Sequence, residues 1–160
     1  MRPEEFVAAL GGVFEHSPWV AERALASRPF ADTAALHAAM VSVVRDAVRE
    51  EQLGLLRAHP ELAGREAQAG TLTVDSTAEQ RTAGLNALTR AEMERVSRLN
   101  RAYRERFGFP FIIAARRHTK DGIFAELERR IGNDTESEVR ECLEQVFIIT
   151  RLRLDALVAD

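Results

Sequence analysis

Apolar residues recur at intervals of three and four along most of this chain, and this spacing is the strongest constraint on its fold. Sustained alternation of apolar and polar residues, which a half-buried strand would show, is scarce. With 160 residues, the chain is long enough to bury a core without metals or disulfides. The sequence therefore predicts an all-α fold, in which residues 1–160 form a single-domain multi-helix bundle.

The composition limits the classes of partner that the chain can have. No tract is apolar enough to span a membrane or to act as a signal peptide. A net charge of -3 provides no basic surface for nucleic acid. Cys142, the single cysteine, shares an apolar helical stripe with Val139 and Val146, which predicts a buried small hydrophobe. We therefore expect a soluble cytoplasmic protein with neither nucleic-acid nor membrane partners.

Local start signals divide the apolar pattern into helices. Pro3 favours a first helical turn, and Ser17 is expected to cap a second helix that begins at Pro18. A stripe from Thr33 to Glu51 predicts one core helix, on which His37 is expected to be packed or to lie at the rim. Three pairs of a hydroxyl residue and a glutamate predict capping boxes: Ser76 with Glu79, Thr89 with Glu92, and Thr135 with Glu138.

Another segment, FGFPFIIAA, is apolar but contains Pro110 and has no partner strand. It is interpreted as a buried loop that enters the core.

The segment HPELAG, residues 59–64, follows the predicted end of a helix. Pro60 disfavours the helical conformation of the residue before it, so His59 is held near the helix C-terminus. The negative end of the helix dipole favours an imidazolium there, which suits proton transfer near neutral pH. From the spacing alone a simple capping role is favoured over catalysis, and both interpretations stay open.

Two polar residues open a helix further along. Glu79 is either the capping glutamate of Ser76 or, together with Gln80, faces a cavity. In the terminal helix, Arg153 lies on an apolar stripe, whereas Arg151 lies on the solvated side. Burial of an unpaired guanidinium would cost several kcal/mol, so an internal carboxylate or an anionic ligand is inferred for Arg153.

Motifs for metals, nucleotides and serine hydrolysis are missing from the sequence, which leaves small-molecule acid-base chemistry. The ordered segments FEHSPWVAERA, HPELAG, STAEQRTAGL, FGFPFIIAARRHTKDGIFAELERRIGN and EQVFIITRLRLDAL together resemble the 2-oxo-4-hydroxy-4-carboxy-5-ureidoimidazoline (OHCU) decarboxylase family nearly end to end. His118 and Thr119 depart from the glycine and small polar residues that members often have there.

The resemblance implies an all-α, commonly dimeric enzyme that needs neither metal nor organic cofactor. The implied reaction is decarboxylation of the anionic ureidoimidazoline to (S)-allantoin in urate degradation. Its implied catalytic residues are His59, which transfers a proton, and Glu79, which accepts hydrogen bonds from the N–H groups of the substrate. Its implied substrate-binding residues are Pro60, Ser76, Gln80, Phe111, Ile112, Ile113 and Arg153.

Two other functions are weighed against this one. A non-catalytic helical interaction module would use His59 and Glu79 as caps and would pair Arg153 with an internal carboxylate. A different small-anion decarboxylase or lyase would keep the three polar residues and change the ligand.

Overall fold

A computed structural model describes residues 2–158, so Met1, Ala159 and Asp160 at the ends of the predicted domain lie outside the described residues. Nine α-helices occur within that range: α1 Pro3–Leu10, α2 Trp19–Ala24, α3 Thr33–Asp46, α4 Arg49–Arg57, α5 Arg65–Ala69, α6 Val74–Thr82, α7 Arg90–Phe107, α8 Lys120–Ile131 and α9 Thr135–Val158. The all-α class is confirmed, because residues 2–158 contain no strand. None of the helices described is long and apolar enough to cross a membrane.

Residue contacts divide the chain into two units, Met1–Ala58 with Val146–Asp160 and His59–Gln145. In the first unit α2 packs against α1 and α3. The side chains that become buried there include Phe6 of α1, Val20 of α2, and Met40 and Val44 of α3. This apolar core holds the N-terminal helices together.

The core helix predicted from Thr33 to Glu51 is two helices, so that prediction is wrong. Ala47 and Val48 are extended between α3 and α4, and Val48 is 65% exposed. The Gln52 side chain donates to the carbonyl oxygen of Val44 at 2.9 Å, which satisfies one acceptor at the end of α3. Apolar spacing continues across the break, so periodicity did not reveal it.

Two of the three predicted capping boxes are wrong, and so is the predicted cap of α2. Thr73 caps α6, with its side chain accepting from the backbone N–H of Ser76, and an Asp134 carboxylate accepts the N–H of Ser137 at the start of α9. The Ser17 hydroxyl donates to the Glu15 carbonyl, and Pro18 takes the N-cap position of α2 without a side-chain cap. The box of Thr89 with Glu92 is confirmed.

The second unit is built around α7 and α8, which pack against each other. Tyr103 of α7 lies with its ring centroid 5.5 Å from that of Phe111, in an edge-on arrangement. The segment that contains Phe111 is buried and irregular from residue 109 to residue 114, as predicted. Cys142 is also buried, as predicted.

Candidate active site

His59 lies where the sequence predicted it, directly after the end of α4. The helix ends at Arg57 with Ala58 as the C-cap, and residues 59–64 are not helical. The His59 side chain is buried, with only 6% of the residue exposed, while Pro60 is half-buried. A buried imidazole at a fixed chain position suits acid-base chemistry better than a solvated cap does.

Side chains from α6 and α7 bind the backbone of the HPELAG segment. Gln80 Oε1 accepts from the N–H of Ala63 at 2.9 Å, and Gln80 Nε2 donates to the carbonyl oxygen of Glu61 at 3.4 Å. Asn100 Nδ2 donates to the carbonyl oxygen of Leu62 at 3.0 Å. The segment is therefore fixed by amide side chains, in place of secondary-structure bonds.

Gly64 has a steric role in the same turn, and its replacement is expected to lower stability. A Cβ atom at position 64 would come within 2.6 Å of the Cβ atom of Glu61. Gly64→Ala should therefore reduce the free energy of unfolding by about 1–3 kcal/mol, as overpacking does. Urea unfolding monitored by circular dichroism measures this change.

The matched control is Gly54→Ala, because a Cβ atom at position 54 in α4 would meet nothing within 4 Å. It should raise the free energy of unfolding by about 0.5–1 kcal/mol. Equal effects of the two replacements would contradict the steric role of Gly64.

The observed cap of α6 changes the interpretation of Glu79. Since Thr73 is the N-cap, Ser76 occupies the third helical position and Glu79 lies beyond the first turn. The capping role predicted for Glu79 is therefore wrong. Glu79 is half-buried, and its neighbours Ser76 and Gln80 are buried.

The apolar segment predicted to border the substrate is deeply buried. Phe111, Ile112 and Ile113 are each at most 3% exposed. The carbonyl oxygen of Ile112 accepts from Arg130 Nη1 at 2.7 Å, and Gln145 Oε1 accepts the N–H of Ala114 at 2.9 Å. The middle and the C-terminal end of this irregular backbone are therefore anchored by side chains.

Arg130 is a buried charge that the sequence analysis missed. The guanidinium donates to both carboxylate oxygens of Glu138, with distances of 2.9–3.2 Å, and both residues are at most 1% exposed. Tyr103 and Asn133 also donate to this carboxylate. A detectable signal existed, because Arg130 follows Ile123 and Leu127 at helical spacing on the buried face of α8.

Burial shifts the protonation of the groups around this pair. The pKa of the Tyr103 hydroxyl is raised, chiefly by desolvation, and the pKa of the Cys142 thiol is raised for the same reason. Both groups therefore stay protonated near neutral pH and can donate hydrogen bonds.

In the first unit, Arg153 meets an internal carboxylate, one of the two partners inferred from the sequence. Its Nη2 atom donates to Glu15 Oε2 at 3.0 Å, and its Nη1 atom donates to the carbonyl oxygen of Val13 at 3.2 Å. His37 is half-buried and lies 3.0 Å from Thr150 Oγ1, as expected of a packed histidine. Desolvation and the nearby Arg151 lower the pKa of His37.

The second unit thus contains all the predicted site residues except Arg153, which belongs to the first. A cavity of about 330 Å³ adjoins Ala63 and Gln80, and its other lining residues include Gln68, Thr77, Arg81 and Met93. Thr119 caps α8 by accepting the N–H of Gly122, which accounts for the hydroxyl at that unusual position. Among the described residues, no cluster of three or more histidine, cysteine or acidic side chains could hold a metal.

Comparison with known proteins identifies relatives of nearly the whole chain. The family model for OHCU decarboxylase matches residues 1–155. The OHCU decarboxylase of Haloferax volcanii is 48% identical over 151 residues, which cover 94% of this chain and 88% of that protein. The mouse (Mus musculus) OHCU decarboxylase is 42% identical, with 96% and 86% covered. The Bacillus subtilis uric acid degradation bifunctional protein PucL is 39% identical, and the match covers all of this chain and 32% of that protein.

Two solved structures share the fold. An (S)-allantoin synthase superposes with a TM-score of 0.76 at 35% identity, covering 99% of this chain and 51% of that chain, so this chain spans about half of it. An OHCU decarboxylase solved in the presence of (S)-allantoin gives a TM-score of 0.74 at 22% identity, with 98% and 99% covered, and shows the fold alone. The chain belongs to the OHCU decarboxylase family.

Proposed function

We propose that this protein decarboxylates OHCU to (S)-allantoin without a cofactor. Full-length relatives that are OHCU decarboxylases and an (S)-allantoin synthase of the same fold support this activity. The single observation that carries the proposal is the buried His59 at the end of α4, in a turn bound by two other helices. A buried, oriented imidazole is what proton transfer at a small organic anion requires.

The reaction needs one group that handles a proton and others that orient the substrate. Loss of carbon dioxide leaves an electron pair that passes into the neighbouring C=N bond, and one face is then protonated. We assign the proton transfer to His59. It either takes the proton of the substrate hydroxyl or delivers the proton that is added after decarboxylation. Glu79 accepts hydrogen bonds from the ureido and ring N–H groups, which only an ionised carboxylate can do in full.

The remaining predicted residues are assigned to substrate binding. We assign Pro60, Ser76 and Gln80 to substrate contacts beside the catalytic pair. Backbone groups of residues 111–113 are assigned to the substrate ring, and the apolar side chains of this segment are assigned to the exclusion of water. Arg153 is assigned to oxygen atoms of the anionic substrate. Its guanidinium is a planar fork of N–H donors, a geometry that matches the oxygen atoms of a carboxylate.

The test generates the short-lived substrate from urate with urate oxidase and hydroxyisourate hydrolase and follows the circular dichroism of the allantoin formed. This protein should give a fast signal of one sign. Glu79→Gln, which is nearly isosteric, should lower the rate by about 10-fold to 10²-fold, because an amide accepts fewer hydrogen bonds than a carboxylate.

The control for this variant is Glu94→Gln on the exposed side of α7, which should keep the full rate. Slow racemic product, identical with and without protein, would contradict the proposal. It would favour the interaction module, which also predicts the pair of Arg153 and Glu15, or another substrate.

We also propose that the enzyme is a cytoplasmic homodimer. The resemblance to a commonly dimeric family supports the dimer, and the absence of a membrane-spanning helix from residues 2–158 is compatible with that setting. Size-exclusion chromatography with light scattering should give about twice the 17.9 kDa mass of one chain.

A further inference from the structure

The turn that follows His59 contains a strained alanine. Ala63 has a φ of 50°, in the left-handed region that a residue with a Cβ atom adopts at an energetic cost. Such a conformation persists only where its surroundings enforce it. Both backbone groups of Ala63 are bound by glutamine side chains: its N–H donates to Gln80 at 2.9 Å, and its carbonyl accepts from Gln68 at 3.2 Å.

The preceding residues of the turn are bound in a similar way. The carbonyl oxygens of Glu61 and Leu62 accept from Gln80 and Asn100, respectively. Gln80 and Asn100 are both buried, each with 5% exposure. Three consecutive backbone positions, beginning two residues after His59, are therefore fixed by neutral side chains of α6 and α7.

The chemistry of these two residues explains their burial. A carboxamide both donates and accepts, and it carries no charge that burial would penalise. Asn100 is a poor helix former on a face of α7 that otherwise buries Val96, Tyr103 and Phe107. Its cost in that position is offset by the bond to the turn. An outer ion pair of Glu61 with Arg104 reaches the same turn, but its exposure makes it a minor tie.

We propose that Gln80 and Asn100 are positioning residues, which hold the turn at residues 61–63 in its strained conformation and so fix the imidazole of His59. The inference rests on the proposed function only in that His59 is the group to be fixed. It gives Gln80 a role through the backbone, beyond the substrate contact that the resemblance implies. Misplacement of a catalytic group by about 1 Å can cost roughly 10²-fold in rate.

The first test removes the amide of Gln80 while keeping its shape. Gln80→Met should lower kcat by roughly 10-fold to 10²-fold, in addition to any rise in KM from the lost substrate contact. Adding Ala63→Gly should restore much of kcat, because glycine adopts a positive φ without the support of Gln80. If Gln80 acts only by touching the substrate, KM should rise and Ala63→Gly should restore nothing, which would overturn the proposal.

The matched control is Gln52→Met, which also removes a glutamine bond to a backbone carbonyl but lies in the first unit. It should keep kcat. Asn100→Leu provides a second variant of similar volume and should lower kcat in the same way as Gln80→Met. A normal kcat in folded Asn100→Leu would also overturn the proposal.

A readout independent of activity separates this inference from the proposed function. Urea unfolding of wild type, Ala63→Gly, Gln80→Met and the double variant forms a double-mutant cycle. Gln80→Met should lower the unfolding midpoint less when residue 63 is glycine. Additive changes would overturn the coupling even if the enzyme is active. If the cycle shows this coupling but the wild type shows no turnover, the proposed function fails while the positioning of the turn stands.

Discussion

Replacing His59 with alanine should lower kcat by about 10² to 10⁴ while the protein stays folded, because positioned acid-base catalysis contributes a factor of that size. The loss should appear in kcat and in kcat/KM alike, since the proton is transferred in the transition state. Stopped-flow circular dichroism of allantoin formation measures both constants. His59→Asn should behave similarly, because a side-chain amide acts neither as an acid nor as a base near neutral pH.

The matched control is His37→Gln. His37 is a half-buried histidine that lies in the first unit beside Thr150. Its replacement should change stability by about 1 kcal/mol and leave kcat within a factor of a few. If His59→Ala retains nearly full turnover, His59 plays no part in the chemistry and its burial at the end of α4 is structural. Near-ultraviolet circular dichroism of each variant excludes unfolding as the cause of a lost rate.

The helical class and the location of His59 could be predicted because they depend on local chemistry. Pro60 disfavours helix in the residue before it, and the structure ends α4 at Arg57. Gly108 ends α7 in a left-handed conformation, with a φ of 80°, which glycine adopts without the strain that a Cβ atom brings. In each case one residue restricts the backbone irrespective of its distant neighbours.

The sequence does not decide which residue caps α6 or whether α3 and α4 form one continuous helix. Thr73 and Ser76 both carry a hydroxyl able to accept a backbone N–H, but Ser76 is buried in the folded chain and Thr73 takes the N-cap. The break at residues 47–48 is supported by Gln52, whose amide reaches back to Val44. Both outcomes are set by side-chain packing, which apolar spacing does not encode.

The partner of Glu138 was likewise not predictable from local sequence patterns. Its spacing from Thr135 satisfied the pattern of a capping box, which local reasoning accepts. Arg130, from the preceding helix, offers a charged partner in the interior, and the carboxylate turns inward to meet it. An ion pair between residues eight positions apart is invisible to a rule that compares residues three positions apart.

The largest effect on stability is expected from breaking this buried pair. Arg130→Met leaves the Glu138 carboxylate without its charged partner in the interior, and Glu138→Leu leaves the guanidinium without its own. Either single replacement should lower the free energy of unfolding by about 3–5 kcal/mol. Arg130→Met also removes the donor to the Ile112 carbonyl, so it should loosen the segment at residues 109–115. Hydrogen exchange of those backbone amides, together with urea unfolding, measures both effects.

The double variant Arg130→Met with Glu138→Leu distinguishes the cost of an unpaired charge from the worth of the pair. Replacement of both charges by apolar side chains of similar volume should recover much of the lost stability, because buried pairs contribute little beyond their desolvation cost. Arg129→Met is the control on the neighbouring position, since Arg129 forms an exposed pair with Glu126 that is worth about 0–1 kcal/mol. A double variant that stays as unstable as either single variant would mean that the paired charges stabilise the fold in their own right. In that case Tyr103 and Asn133, which share the Glu138 carboxylate, would make the network stronger than its single bonds.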